Sequence, residues 1–374
     1  VAGPNLARRA VAAAKVIVVK VGSSSLTTSA GGLDRARLDG LVDALAARQL
    51  AGSHVVLVSS GAIAAGLAPL GLRRRPKDLA TQQASASVGQ LLLIEQYAGS
   101  FSRFGLTVGQ VLLTTDDVVR RSHYRNAQRT MSKLLQFGVV PVVNENDTVA
   151  TQEIRFGDND KLAALVAHLV GADALVLLSD VDGLYTGDPR LPGSLKVSTV
   201  QTATDLEGID IGAAGSDVGT GGMASKLTAA TTATGAGIPV LLASASDAAL
   251  ALSTESAGPV VGTAFESAPR RTNARLFWLR HAATSAGTIS LDAGAVAAVI
   301  GRRKSLLPAG ITGHAGDFEA GDVVDLLDPA GAIVARGFVG HDACELVAMI
   351  GRTLADLPVE QRHEVVHADD VVAI

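Results

Sequence analysis

From Val16 to about Phe265, short runs of β-branched residues alternate with stretches whose apolar residues recur at helical spacing. That rhythm forces crossover connections and a mainly parallel central sheet with helices on both faces, an α/β fold of the three-layer αβα sandwich type. The best strand candidates are Val16 to Val21, His54 to Ser59, Val139 to Val143, Ala174 to Ser179 and Pro239 to Ala243, each ending in glycine, serine or acidic residues. Leu33 to Arg48, Thr81 to Tyr97 and Arg125 to Phe137 read as helices. Open sheets of this kind bind ligands beyond the carboxyl ends of their strands, so chemistry is expected in the loops there.

After Phe265 the rhythm changes. SAPRRTNAR is polar, basic and Pro-containing, and the following FWLRHA holds Trp278. From Gly287 come short strand-like pieces, ITGHAGDFEAGDVVDLLD and GAIVARGFVG, punctuated by Gly and Asp as in a small β-rich barrel. A chain of 374 residues exceeds what one core usually organises. The predicted division is a catalytic domain over 10–267, a linker over 268–283, a β-rich domain over 284–361 and a tail over 362–374.

With 48% apolar and 18% charged residues the chain is too apolar to stay disordered, and with 3% aromatics its core must be Val, Leu, Ile and Ala. One cysteine, Cys344, excludes an internal disulfide and a Cys-cluster zinc site, and fits a reducing compartment, the cytoplasm. Arg8 and Arg9 before apolar residues superficially resemble a signal peptide. Lys15 and Lys20 interrupt that run, and neither an export signal nor a membrane span is expected. A net charge of −4 offers nothing global to nucleic acid or an anionic membrane.

Three turns carry candidate anion sites. In VVKVGSSSL, Lys20 stands near the end of an apolar strand, either snorkelling from an edge or fixing positive charge beside a phosphate, with the Gly-Ser turn supplying N–H donors. The GxxxxGK[ST] order of a Walker loop is absent. In VLVSSGAIAAG, Ser60, Gly61 and Ala62 form a strand-to-helix turn that either simply packs tightly or presents N–H groups to a carboxylate or phosphate. GSDVGTGGMASKLTAA is a glycine-rich loop running into a helix with Lys226 in its first turns, better suited to cradling phosphate than to linking.

The most informative stretch is VVPVVNENDTVATQEIRFGDNDKLAAL, where a buried strand ends in Asn144, Glu145, Asn146 and Asp147 and FGDND opens a helix. Capping accounts for one of Asp158, Asn159 and Asp160, but so many polar groups at a strand end are costly unless they hold something. Asp147 is a candidate partner for an ammonium, and Asn144, Asn146 or Asn159 for amine or carboxylate hydrogen bonds, a set that fits an amino acid ligand. In LVLLSDVDGLYTGDPR, Ser179 and Asp180 sit at the strand end, whereas Asp182-Gly183 and Asp188-Pro189 are turn chemistry.

Taken together and in this order, VVKVGSSSL, SSGAIAAG, VNENDTVATQEIRFGDND, SDVDGLYTGDPR and GTGGMASK closely resemble the glutamate 5-kinases of the amino acid kinase family, over about Lys15 to Phe265. The first lysine and the glycine-rich loop are shared across the wider family. VNENDTVATQEIRFGDND is far more specific, and its resemblance favours glutamate 5-kinases over carbamate, acetylglutamate, uridylate or aspartate kinases. GTISLDAGAVAAVI, KSLLPAGI and FEAGDVVDLLD look like a PUA domain, an appendage of many bacterial glutamate 5-kinases.

The resemblance implies ATP-dependent phosphorylation of the γ-carboxylate of L-glutamate, the first step of proline biosynthesis. It implies that Lys20 and Lys226 flank the transferred phosphoryl group while Asp160 orients both. Ser60, Asp147 and Asn159 would hold glutamate, with Asn144 and Asp158 as further substrate-side members. Ser179 and Asp180, with Thr220, Gly221, Gly222, Met223, Ala224, Ser225 and Lys226, and Lys20 at the phosphates, would hold ATP. Magnesium would bridge the nucleotide phosphates, with no protein metal ligand assigned. Where family members often carry threonine, Ser179 keeps the hydroxyl. Proline as a competing feedback inhibitor and a homo-oligomer, dimer or tetramer, are also implied.

Two rivals are set against this reading. One is another family member acting on a related carboxylate or carbamate. The other is an RNA-binding protein working through the PUA domain, with GRRKS locally basic. From Thr284 onward 13 Asp and Glu face 6 Lys and Arg, the wrong balance for a phosphate backbone.

Overall fold

The computed structural model describes residues 6–28, 32–114, 117–118, 121–149, 159–191, 193–207, 209, 222–255, 259–267, 279 and 285–374. The chain divides into two compact units, Val1–Arg271 and Thr272–Ile374.

The first unit is built on an eight-stranded sheet. Its strands are β1 (Val16–Val21), β2 (His54–Val58), β3 (Val108–Leu113), β4 (Val140–Glu145), β5 (Ala174–Ser179), β6 (Leu184–Tyr185), β7 (Lys196–Val197), β8 (Thr199–Val200), β9 (Val240–Ser244) and β10 (Thr263–Phe265), of which β6 and β7 form a separate hairpin. The order across the sheet is β3-β4-β2-β1-β5-β9-β10-β8. Every pairing from β3 through β9 is parallel, and only β10 runs antiparallel to β9. The mainly parallel sheet expected from the sequence is therefore present. β4 and β5 are buried along their whole length, which is why such strands read as unbroken apolar runs.

Helices cover both faces. Described helices are α1 (Leu6–Ala13), α2 (Arg35–Leu50), α3 (Ala62–Leu67), α4 (Leu79–Ser102), α5 (Arg121–Gln136), α6 (Asn159–Leu169), α7 (Met223–Gly235) and α8 (Ala248–Ala251). Strand alternation sends Ile17, Val19 and Val21 into a core with Val11 of α1, Leu38, Val42 and Leu45 of α2, and Leu93, Tyr97 and Phe101 of α4. Val18 and Lys20 take the opposite face, where α6 packs on β1 and α7 packs on α6. α6 is apolar nearly all round, with Leu162, Ala163, Ala164, Val166, Ala167 and Leu169 buried, as a helix sandwiched between a sheet and another helix must be. Asp34 and Asp78 cap α2 and α4 by accepting the N–H groups of Arg37 and Thr81.

α3 and α4 cross in backbone contact. A Cβ on Gly66 would lie 1.9 Å from the carbonyl oxygen of Ser85, and one on Gly89 would lie 1.8 Å from that of Ala62. No side chain fits at either position, so glycine at both is what allows the crossing.

Two arginines, Arg8 of α1 and Arg48 of α2, have a structural role. Arg8 donates to the carbonyls of Val261, Ser198 and Gly262. Buried Arg48, at the end of α2, donates to the carbonyls of Val11, Ala12, Ala14, Leu252 and Ser253 and to Ser53 Oγ. The carbonyl ends of α1 and α8 thus converge on one guanidinium, where the helix dipoles favour positive charge.

The structure departs from the sequence reading in its strands. β4 extends through Asn144 and Glu145, so these residues belong to the strand and not to the loop after it. β3 and β10 escaped prediction, as did the short strands β6, β7 and β8. Residues 6–13, compared above with a leader, form an amphipathic helix packed on the sheet.

The second unit holds a five-stranded sheet of β11 (Gly287–Leu291), β12 (Ile311–Gly316), β13 (Val323–Leu327), β14 (Ile333–Val339) and β15 (Val366–Ala373), in the order β12-β11-β13-β14-β15. Only β11 and β13 pair in parallel. Its own core includes Ile289, Leu291, Val324, Leu326 and Ala335, together with Leu346 and Met349 from the helix α10 (Ala343–Met349), which follows α9 (Ala293–Val296). Among the described residues no helix is long and apolar enough to cross a membrane.

Candidate active site

The carboxyl ends of the central strands meet on one edge. Lys20 of β1 is flanked in register by Val58 of β2 and Leu177 of β5, and β4 brings Asn144 opposite Leu112 of β3. The chain leaves β1 toward β2 on one side and later returns as β5 on the other, so Lys20 stands where strand order reverses.

Asp160, in the first turn of α6, has no exposed surface. One carboxylate oxygen pairs with Lys20 Nζ, and the other lies 3.3 Å from Lys226 Nζ and accepts the Ser225 hydroxyl at 2.9 Å. Lys20 is 4% exposed and Lys226 8%. Burial pushes the Asp160 carboxyl up, but the charges of Lys20 and Lys226 and the hydrogen bonds from Lys20 and Ser225 outweigh it, leaving the group below the usual carboxylate range. Asp160 is thus a fixed anion between two buried ammonium groups. Three side chains distant in sequence are held in one ionic unit, cationic on balance, which favours an anionic ligand beside it.

A second polar chain runs beside the first. The backbone N–H of Glu145 donates to Asn144 Oδ1 at 2.9 Å, and Asn144 Nδ2 donates to Gln90 Oε1 of α4 at 2.8 Å. Asn159 Nδ2 donates to Asn144 Oδ1 at 2.7 Å, to the Ser59 carbonyl and to Ser60 Oγ at 3.2 Å. Behind it, Ser59 Oγ and the buried Tyr97 hydroxyl are 2.9 Å apart, and burial pushes that phenol upward. Gly61 adopts a left-handed conformation, φ 101°, which lets the chain turn from Ser60 into α3.

The sequence-predicted residues divide as follows. Lys20, Asp160 and Lys226 are in direct contact, with Ser225 on the same carboxylate. Ser60, Asn144 and Asn159 are joined by hydrogen bonds. Asp147 lies in the turn following β4, half-buried. Asn146 accepts the Thr148 hydroxyl, a turn interaction. Ser179, buried at the end of β5, donates to exposed Asp180 at 2.9 Å. Gly222 stands at the start of α7, Met223 and Ala224 open its first turn, and Ser225 also donates to the Gly222 carbonyl. Asp158, Thr220 and Gly221 lie outside the described residues. Of the turn pairs, Asp188 accepts the Arg190 backbone N–H at 3.0 Å, as a turn aspartate does, while Asp182 pairs with Lys196 at 2.8 Å.

Gln90 and Tyr97 were missed in the sequence. Gln90 follows Gly89 just before the apolar run LLLI, and a polar residue at that place is the one signal that marked it.

The model of the amino acid kinase family matches residues 15–244, and that of the PUA domain matches residues 287–358. The chain is 60% identical over 370 residues to a glutamate 5-kinase of Nocardia farcinica, spanning 99% of this chain and 100% of the relative. It is 61% identical over 373 residues to the glutamate 5-kinase of Salinispora arenicola (98% of this chain and 100% of the relative) and, over the same length, to that of Streptomyces coelicolor (98% and 99%).

Proposed function

The chain belongs to the amino acid kinase family and within it to the glutamate 5-kinases, and we propose from that premise that it transfers the γ-phosphoryl group of ATP to the γ-carboxylate of L-glutamate. The products are L-glutamyl 5-phosphate and ADP, and the step opens proline biosynthesis. One observation carries the chemistry: Asp160 bridges Lys20 and Lys226, fixing two ammonium groups at one spot.

The acceptor is already a nucleophile, because a glutamate side chain with a pKa of about 4.3 is ionised at neutral pH. No general base is needed, and Asp160, low in pKa and shared by two lysines, is unsuited to be one. A carboxylate oxygen attacks the γ-phosphorus in line, the bond from that phosphorus to the β,γ-bridging oxygen breaks, and ADP leaves with the electron pair. The barrier is electrostatic: an anion must approach a polyanion. Lys20 and Lys226 neutralise the equatorial and leaving oxygens, and Asp160 keeps both ammonium groups aimed.

Ser60, Asn159 and Asp147 hold glutamate, Asp147 at its ammonium, with Asn144 behind them and Asp158 as a further member. ATP enters as its magnesium complex and is held by Ser179, Asp180 and the run Thr220 to Lys226. Proline competes with glutamate, and the protein works as a homo-oligomer in the cytoplasm.

The test is ATP-dependent hydroxamate formation with glutamate, aspartate, N-acetylglutamate and carbamate as acceptors, with and without proline. Glutamyl hydroxamate alone is expected. ADP release with another acceptor and none with glutamate overturns the reading.

A further inference from the structure

The side-chain amides beside the ionic unit have defined directions. The Glu145 backbone N–H can only donate, so the atom of Asn144 that meets it is Oδ1. The Ser59 carbonyl can only accept, so the atom of Asn159 that meets it is Nδ2. Asn144 must then turn its NH2 away from Asn159, and the acceptor it finds is Gln90 Oε1. Gln90 is 9% exposed, and its own Nε2 is buried without a hydrogen-bond partner among the described residues. Reversing the Gln90 amide would aim NH2 at NH2. The fold keeps an unpaired buried donor on Gln90, and the direction of Asn144 is preserved.

We propose that Gln90 is a positioning residue for the acceptor site: by accepting the Asn144 amide N–H it locks Asn144 in the direction that the Glu145 N–H imposes, so that Asn144 Oδ1 and the Ser59 carbonyl together hold Asn159 Nδ2 and leave its carbonyl oxygen, and not its NH2, to the substrate. The inference rests on the reading that this site binds glutamate. All three acceptors around Asn159 Nδ2 are supplied by the protein. Among the described residues no donor reaches Asn159 Oδ1, which leaves an acceptor for the ammonium end of an amino acid. Gln90 acts only through Asn144 and sits on α4, held against α3 by the glycine crossing.

Gln90→Met keeps the length of the side chain and removes the acceptor. Its KM for glutamate should rise roughly tenfold to a hundredfold, the range for losing one hydrogen bond to a charged group. Its kcat should stay within about threefold, and its KM for ATP should not move. Gln90→Glu, which keeps an oxygen for Asn144, should restore the glutamate KM. If Gln90→Met does not fold, Gln90→Asn, which withdraws the acceptor by one methylene, carries the same expectation. A folded Gln90→Met with unchanged glutamate KM overturns the inference, as does a parallel rise in both KM values or a Gln90→Glu no better than Gln90→Met. Wild-type protein that forms no glutamyl hydroxamate overturns the functional reading and this inference with it. Active wild type beside an unmoved variant overturns the inference alone.

Discussion

A Cβ on Gly89 would lie 2.5 Å from the backbone nitrogen of Gly66, so α3 and α4 touch main chain to main chain. α3 begins just after Ser60 and α4 carries Gln90, so this crossing sets the spacing between two parts of the acceptor site. Gly89→Ala must push the helices apart, because the obstructing atoms are backbone and cannot rotate away. It should cost roughly 1–3 kcal/mol in a denaturant titration, as overpacking does, and raise the KM for glutamate. Gly40→Ala, on an open face of α2 with nothing within 4 Å, should instead stabilise by about 0.5–1 kcal/mol.

Lys226→Ala removes one of the two ammonium groups on Asp160. Steady-state kinetics should show kcat falling by roughly a hundredfold or more while the KM for glutamate changes little, since the missing charge acts on the transferring phosphoryl group. A change confined to KM would take Lys226 out of the chemical step.

Asp160→Asn should be worse for stability than either lysine change, because it leaves two buried ammonium groups without their shared anion. Breaking a buried ionic group in this way costs roughly 3–5 kcal/mol, readable by thermal or denaturant unfolding. The pH dependence has a definite sign. A carboxyl held below its unfolded value of 3.8 contributes stability that is fully present above that pH and is lost as pH falls through the lower folded value. Asp160 should therefore produce no inflection in kcat across the neutral range.

The second unit should respond to mild acid. His341 is 1% exposed and stacks on His363 with ring centroids 3.9 Å apart. Burial pulls its pKa down, and the charge of neighbouring His363 pulls further, against weaker opposing effects of a hydrogen bond with the His363 backbone and of Glu345, 3.7 Å away. A base held below its unfolded value of 6.5 takes up a proton on unfolding. Its neutral form thus stabilises the fold at higher pH, and that stability falls once pH drops below the unfolded value. Calorimetry from pH 7.5 to about 5 should show the transition of this unit moving down, and His341→Phe should flatten the trend.

Five strands were legible because a parallel strand buried on both faces must be apolar at every position. β3 was not, since as the outermost strand it is only partly covered, and its sequence VGQVLL carries Gly109 and Gln110 where a central strand would carry Val or Ile. β10 is three residues long, too short for any period to register. Lys20, Lys226 and Asp160 stood out as charges in apolar or helix-opening contexts, but only the fold brings their side chains to one point. Gln90 was hidden for the opposite reason. One amide among the four glutamines of α4 looks like any surface residue until Gly89 sinks that face of the helix against α3.

The carbonyls gathered by Arg48 come from residues 11–14 and 252–253, and those gathered by Arg8 include residues 261 and 262. The opening and closing segments of the first unit therefore lie side by side, and its covalent path is almost a ring. Nothing in such a path requires the chain to start where it does. A short bridge between the two segments, with new ends cut in the surface turn between α3 and α4, would give a permuted order of the same contacts, and the ionic unit on Asp160 would reassemble from it unchanged.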